Sequence, residues 1–246
     1  MAGVALKVLF IYNEHLATEA LLGEAFTECG FDVDVDTFEV VPAERVDSPA
    51  VDVMFPDPAG YDVIVPLGAR WPVYDDALRG TWVGAETQLV RDAADAGVAL
   101  LGVCFGGQLL AQAFGGSVVR ATAPEIGWYD VDSDQPDLVP GGPWFQWHFD
   151  RWTLPPGATE IARTANSSQA FVLGRALALQ FHPEIDNALL DLWLADDRDG
   201  EVVGAGLSHD ELRTRTTELA DDVAKRIRGL VRGFLAHVAT QPCPSS

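Results

Sequence analysis

Three side chains have the types and settings that nucleophilic chemistry needs: Cys104, His182 and Glu184. Cys104 lies within Val98-Ala-Leu-Leu-Gly-Val-Cys104-Phe-Gly-Gly-Gln-Leu-Leu-Ala-Gln-Ala-Phe114. The stretch opens as an apolar run short enough for a buried strand, turns at the cysteine, and continues with apolar residues at helical spacing. Gly102 precedes the cysteine, and Gly106 and Gly107 follow it. That pattern suits a nucleophile elbow. A side chain on a sharp strand-to-helix turn is held in strain, and its neighbours must be small for strand and helix to close up. The helix also aims its N-terminal amides at the sulfur, drawing a thiol down from its usual pKa of ~8.5 towards a reactive thiolate.

A thiol nucleophile needs a base, and the base needs an orienting acceptor. Ala176-Leu-Ala-Leu-Gln180-Phe-His182-Pro-Glu184 supplies both. The proline between His182 and Glu184 keeps the chain extended or turning there, and residues two apart on extended backbone point the same way. The carboxylate therefore reaches one imidazole nitrogen while the other faces the sulfur. Taken singly, each stretch has a plainer reading: a buried cysteine in a glycine-rich turn, or a surface His-Pro-Glu turn before a helix. His148, in Trp144-Phe-Gln-Trp-His148-Phe-Asp150, is a competing base. His182 is preferred because it has a carboxylate at fixed spacing, whereas His148 sits among aromatics that could simply pack it.

The elements that must position these groups alternate between strand and helix. Val4–Tyr12 reads as a buried parallel-type strand, Leu16–Cys29 as a helix stopped by Gly30, and Phe31–Thr37 as a half-buried edge strand. The proline-rich segment 41–60 is loop, and Tyr61–Pro66 is the next buried strand. Ligands sit beyond the carboxyl ends of strands in an open parallel sheet, so the loop Leu67-Gly68-Ala69-Arg70-Trp71-Pro72 is placed to offer a backbone amide to an oxyanion. Gly68 and Ala69 are the candidate donors there, and the amide of Phe105, just after the nucleophile, is the other. Trp82–Ala96 reads as a helix, Ser117–Arg120 as a strand, 121–181 as β structure with many turns, and Asn187–Ala195 as an amphipathic helix. Ser208-His-Asp-Glu211 is a capping box opening a helix to about Ala220, and Val223–Val238 carries a second apolar face.

Gly102-Val-Cys104-Phe-Gly106-Gly-Gln108 together with Gln180-Phe-His182-Pro-Glu184 resembles the class I (triad) glutamine amidotransferase family, and within it the stand-alone relatives of the glutaminase domain of GMP synthetase. The resemblance implies an α/β fold of flavodoxin type, an open and mostly parallel sheet flanked by helices. It implies that Cys104 attacks the side-chain amide of glutamine through a γ-glutamyl thioester, with His182 and Glu184 completing the triad and no metal or organic cofactor. It also implies that Gln108 touches bound glutamine and that backbone near Ala170 and Phe171 faces its α-carboxylate. Pro124-Glu125-Ile126-Gly127-Trp128 matches a structural landmark of the family. The family commonly has Gly-Gly-Pro where this chain has Gly68-Ala69-Arg70.

Composition bounds the rest. At 246 residues with 48% hydrophobic content the chain suits one α/β domain over 1–246, with a core about 4–195 and a helical segment about 208–240. Its net charge of −21 argues against nucleic acid and anionic membranes as partners. No apolar run approaches the ~20 residues of a membrane span, and Cys29, Cys104 and Cys243 suit a reducing compartment, so a cytoplasmic protein is expected. No synthase domain or phosphate loop is recognisable to receive ammonia. A separate synthase subunit is then the expected partner; otherwise the same triad acts on γ-glutamyl amines or peptides. A catalytically silent relative that binds or regulates a synthase, and a metal hydrolase built on His148, Asp150, His182 and Glu184, are readings of other classes.

Overall fold

The first strand, β1 (Leu6–Tyr12), is buried on both faces, and its alternation sorts its side chains between two cores. Val8 and Phe10 join one apolar cluster while Leu9 and Ile11 join another. That is the signature of a sheet covered by helices on both sides. The computed structural model describes residues 5–29, 33–197 and 199–240. The expected strand start at Val4, the stop at Gly30, the first two residues of the Phe31–Thr37 strand, Cys243 and the tail lie outside them.

After β1 come α1 (Ala20–Glu28), β2 (Val33–Glu39), β3 (Val63–Pro66), α2 (Asp76–Arg79), α3 (Trp82–Asp95), β4 (Ala99–Val103) and α4 (Phe105–Ala113). The chain then builds β5 (Ser117–Ser133), β6 (Gly142–Thr153), β7 (Thr159–Arg163), β8 (Ser168–Leu173) and β9 (Ala176–Leu179). It closes with α5 (Asn187–Ala195), α6 (Glu201–Gly204) and α7 (His209–His237). The sheet order is β2-β1-β3-β4-β9-β8-β7-β5-β6. Pairing is parallel from β2 through β9 and antiparallel from β9 through β6. The parallel half is the expected open sheet, and the turn-rich middle of the sequence is its antiparallel extension. β9 belongs to both halves, so the strand that ends in the His-Pro-Glu turn lies beside β4, which ends at Cys104.

Helices α1 and α7 cover one face, where Phe10, Phe26 and Phe234 meet edge to face. Helices α3 and α4 cover the other, with Trp82 against Phe105. Two boundaries differ from expectation. α1 begins at Ala20 rather than Leu16, because residues 13–19 turn beneath the end of the sheet, where the Glu19 carboxylate accepts hydrogen bonds from Tyr12 and Thr18. The two expected C-terminal helices are one, opened by the Ser208–Glu211 capping box. Asp221 and Asp222 do not break it: both are exposed, and the buried stripe runs on through Leu219, Val223, Ile227, Leu230 and Phe234.

Candidate active site

Cys104 occupies the turn between β4 and α4 with φ 51° and ψ −107°. A non-glycine residue held there costs of order 1–3 kcal/mol and persists only where its surroundings over-determine it. Three features do so. The Cys104 amide donates to Leu179 O at 2.8 Å, and its carbonyl accepts from the Gln108 amide at 2.9 Å. A Cβ on Gly102 would lie 2.5 Å from Gly106 O, and one on Gly106 would collide with the Pro66 carbonyl. The absence of side chains at these two positions therefore seats α4 on the ends of β3 and β4. Phe105 is the first helical residue, so its N–H has no acceptor within the helix.

His182 follows β9, its backbone N–H held by Phe145 O at 2.8 Å. Its Nδ1 lies 2.7 Å from Glu184 Oε1, both side chains being nearly fully buried. The Trp193 ring packs edge-on against the imidazole, 4.8 Å between centroids. His182 Nε2 is buried and meets no acceptor at full hydrogen-bonding geometry among the described residues. Burial alone would lower the imidazole pKa, but the charges of Glu184 and Cys104 outweigh it and push the ring up to about 10. The ring is thus held between the Glu184 carboxyl and the Cys104 sulfur.

Gln180 completes the surroundings of the sulfur, and sequence reasoning gave it no role. Its Nε2 lies 3.8 Å from Cys104 Sγ, and its Oε1 accepts from Gln108 Nε2 at 3.3 Å. The signal was available: Gln180 stands two residues before His182, just past the end of β9. The Trp147 carbonyl lies 4.0 Å from the sulfur on another side.

The loop after β3 lies over this group. A Cβ at Gly68 would sit 3.1 Å from His182 Cε1 and 3.8 Å from Cys104 Cβ. The Gly68 and Ala69 amides donate to no group among the described residues. Ala20 and Cys104 are the non-glycine residues with positive φ in the described chain, so Ala69 stands where the family commonly has glycine without backbone strain. Arg70, in place of the usual proline, bridges Glu14 at 2.5 Å and Asp196 at 2.7 Å. It ties the loop to the segment after β1 and to the end of α5.

These groups open into a cleft of about 340 Å³ whose lining includes Gly68, Cys104, Gln108, His182 and Glu184, with walls from Trp71, Trp147, Phe149 and Trp193. Ala170 and Phe171 do not line it. Their strand pairs with β7 and β9, and both side chains are buried in the cores. His148 borders the cleft but both its nitrogens are engaged, Nε2 with Glu125 at 3.0 Å and Nδ1 with the Asp150 carbonyl at 3.0 Å. Thr164, Ser167 and Gln169 also donate to Glu125. Burial would raise this carboxyl, yet the bonds from His148, Thr164 and Ser167 hold it below the ordinary range. His148 thus pins β5 to β6 and has no nitrogen left to act as a base. Among the described residues no three His, Cys, Asp or Glu side chains converge as metal ligands, and no helix is long and apolar enough to cross a membrane.

The family model for class-I glutamine amidotransferases matches residues 22–192. The chain belongs to that family. It is 32% identical over 171 residues to a glutamine-hydrolysing GMP synthase of Aeropyrum pernix, covering 64% of this chain and 31% of that protein. The corresponding enzyme of Thermus thermophilus is 40% identical over 97 residues, covering 36% of this chain and 19% of that one. The chain thus spans less than a third of these curated relatives. A glutamine amidotransferase from Thermotoga maritima superposes with a TM-score of 0.79 at 25% identity, covering 97% of this chain and all of that one. Another from Methylobacillus flagellatus, 19% identical, shares the fold with a TM-score of 0.77 over 98% and 97% of the two chains.

Proposed function

We propose that this amidotransferase-family protein hydrolyses the side-chain amide of glutamine with a Cys104–His182–Glu184 triad. The observation that carries the reading is the buried His182–Glu184 pair beside a strained cysteine on a strand-to-helix elbow.

The Cys104 thiolate attacks the γ-carboxamide carbon, and the developing oxyanion is held by the amides of Phe105 and of the Gly68–Ala69 loop. As the C–N bond breaks, His182 Nε2 gives its proton to the departing ammonia, leaving a γ-glutamyl thioester. Two charges raise the affinity of His182 for its proton, Glu184 and Cys104. The second disappears once the sulfur is acylated. The imidazole is then a better proton acceptor for the water that attacks the thioester, and collapse expels the thiolate, releases glutamate and restores the ion pair. Glu184 orients the ring throughout, and Gln108 at the cleft wall is placed to contact the substrate.

The ammonia is assigned to a separate synthase subunit. Support comes from the family and from the matched relatives, glutamine-hydrolysing GMP synthases of which this chain covers only a part. One second reading follows from the aromatic lining of the cleft, which suits a leaving group larger than ammonia, as in a γ-glutamyl amine or peptide.

The test is product analysis with purified protein and Cys104→Ser, using glutamine and a panel of γ-glutamyl amines and peptides. Ammonia from glutamine, lost in the variant, is the expected result. Preferred release of larger amines assigns the protein to the second reading, and silence towards every substrate sinks both in favour of a binding role.

A further inference from the structure

The Leu67–Gly68 peptide is gripped from behind. Asn13, the residue after β1, is fully buried, and its Nδ2 donates to Leu67 O at 3.0 Å. The described peptides are trans, and in a trans peptide the C=O of one residue and the N–H of the next point in opposite directions. Holding Leu67 O on the β1 side therefore turns the Gly68 N–H away from Asn13. Residue 68 borders His182 and Cys104, and its amide has no partner among the described residues.

Asn13 is itself backed by a group that the chemistry above does not use. Glu86 on α3 is fully buried, neither carboxyl oxygen finds a partner at full hydrogen-bonding geometry, and Asn13 Oδ1 likewise has none. Burial pushes the Glu86 carboxyl up to about 8, with the Asn13 side chain acting against that rise. A hydrogen bond that opposes the rise is one donated to the carboxyl, so the Asn13 amide and Glu86 are neighbours in the core.

We propose that Asn13, backed by the Glu86 carboxyl, is a positioning residue that sets the Leu67–Gly68 peptide so that the Gly68 N–H serves as oxyanion donor. The assignment rests on the hydrolytic reading above. Neither residue touches substrate. A pinned peptide matters because an oxyanion donor works only if it is aimed before the reaction begins. Attack of the thiolate on a simple alkylating agent develops no oxyanion and gains nothing from the donor.

That contrast supplies the experiment. Glutamine hydrolysis is measured alongside iodoacetamide alkylation of Cys104, followed by mass spectrometry of its peptide, in wild type, Asn13→Ala, Glu86→Gln and Glu86→Leu. Asn13→Ala is expected to lower kcat about 100-fold, the size typical of a lost oxyanion donor, with KM within about threefold and the alkylation rate within about twofold of wild type. Glu86→Gln, which keeps an acceptor oxygen and the side chain's size in place, is expected to retain kcat, and Glu86→Leu to lower it at unchanged KM. An active wild type with an indifferent Asn13→Ala overturns the proposal alone. So does a parallel loss of hydrolysis and alkylation, which would make Asn13 a support of the whole elbow. A wild type that alkylates but hydrolyses no γ-glutamyl compound overturns the hydrolytic reading and this one with it.

Discussion

Gly68 lies against His182 so closely that a methyl group on residue 68 would stand 3.1 Å from the imidazole Cε1. One strand end thus supplies both an unpaired amide and the steric wall that sets the ring's position. Gly68→Ala is expected to displace the imidazole by a few tenths of an ångström and to lower kcat about 10-fold or more, since small misplacements in a reacting constellation are amplified. Melting temperature should hardly move, because the site is a cleft wall. Steady-state kinetics with a thermal melt checks this, and a variant of full activity would show that the ring has room.

Glu184→Gln removes the carboxylate that helps to hold the His182 proton. In the wild type the folded pKa of about 10 lies above the ~6.5 of an unfolded histidine. This contribution to stability is therefore complete below pH ~6.5 and lost as pH rises through about 10. In Glu184→Gln that loss shifts to lower pH, and kcat is expected to fall by about 10²–10⁴, as when a triad acid is replaced by its amide. Chemical denaturation across pH 6–11, with pH-rate profiles, measures both; coincident profiles would remove Glu184 from the site.

Glu86 gives a stability signal of the same sign at lower pH. Its folded pKa of about 8 lies above the ~4.3 of a free glutamate, so the wild type loses stability as pH rises from ~4.3 through 8 and the unfolded chain ionises first. Glu86→Gln cannot ionise. It is expected to gain on the wild type across that window by a few kcal/mol, at ~1.4 kcal/mol for each pH step. Urea midpoints at pH 5 and pH 8 measure the difference; an equal gap at both would mean that Glu86 is charged in the fold.

Gln180→Leu takes the 3.8 Å amide donor from Cys104 Sγ without changing the side chain's bulk greatly. A thiolate loses more from this than a thiol does. Alkylation of Cys104 at neutral pH is expected to slow several-fold. An unchanged alkylation rate would leave Gln180 as a packing residue only.

The elbow and the His-Pro-Glu turn were legible in the sequence because each is a local device. Glycine at 102 and 106 and a proline between two polar residues restrict the backbone within a few positions of the group they serve. The helix–strand alternation was equally local, apart from ends such as residues 13–19 and the join at Asp221–Asp222, where long-range packing overrode the break suggested by composition. Tertiary structure decided what depends on distant partners: that β9 lies beside β4, bringing His182 to Cys104, and that Gln180 reaches the sulfur across the sheet. It decided that His148 is consumed by Glu125 while Ala170 and Phe171 are sealed within the sheet, and that Asn13 and Glu86 stand behind the Gly68 peptide. Local spacing can place two groups on one face of a strand. Which strands become neighbours, and which polar groups are spent on one another, follows from burial and hydrogen-bond satisfaction over the whole fold.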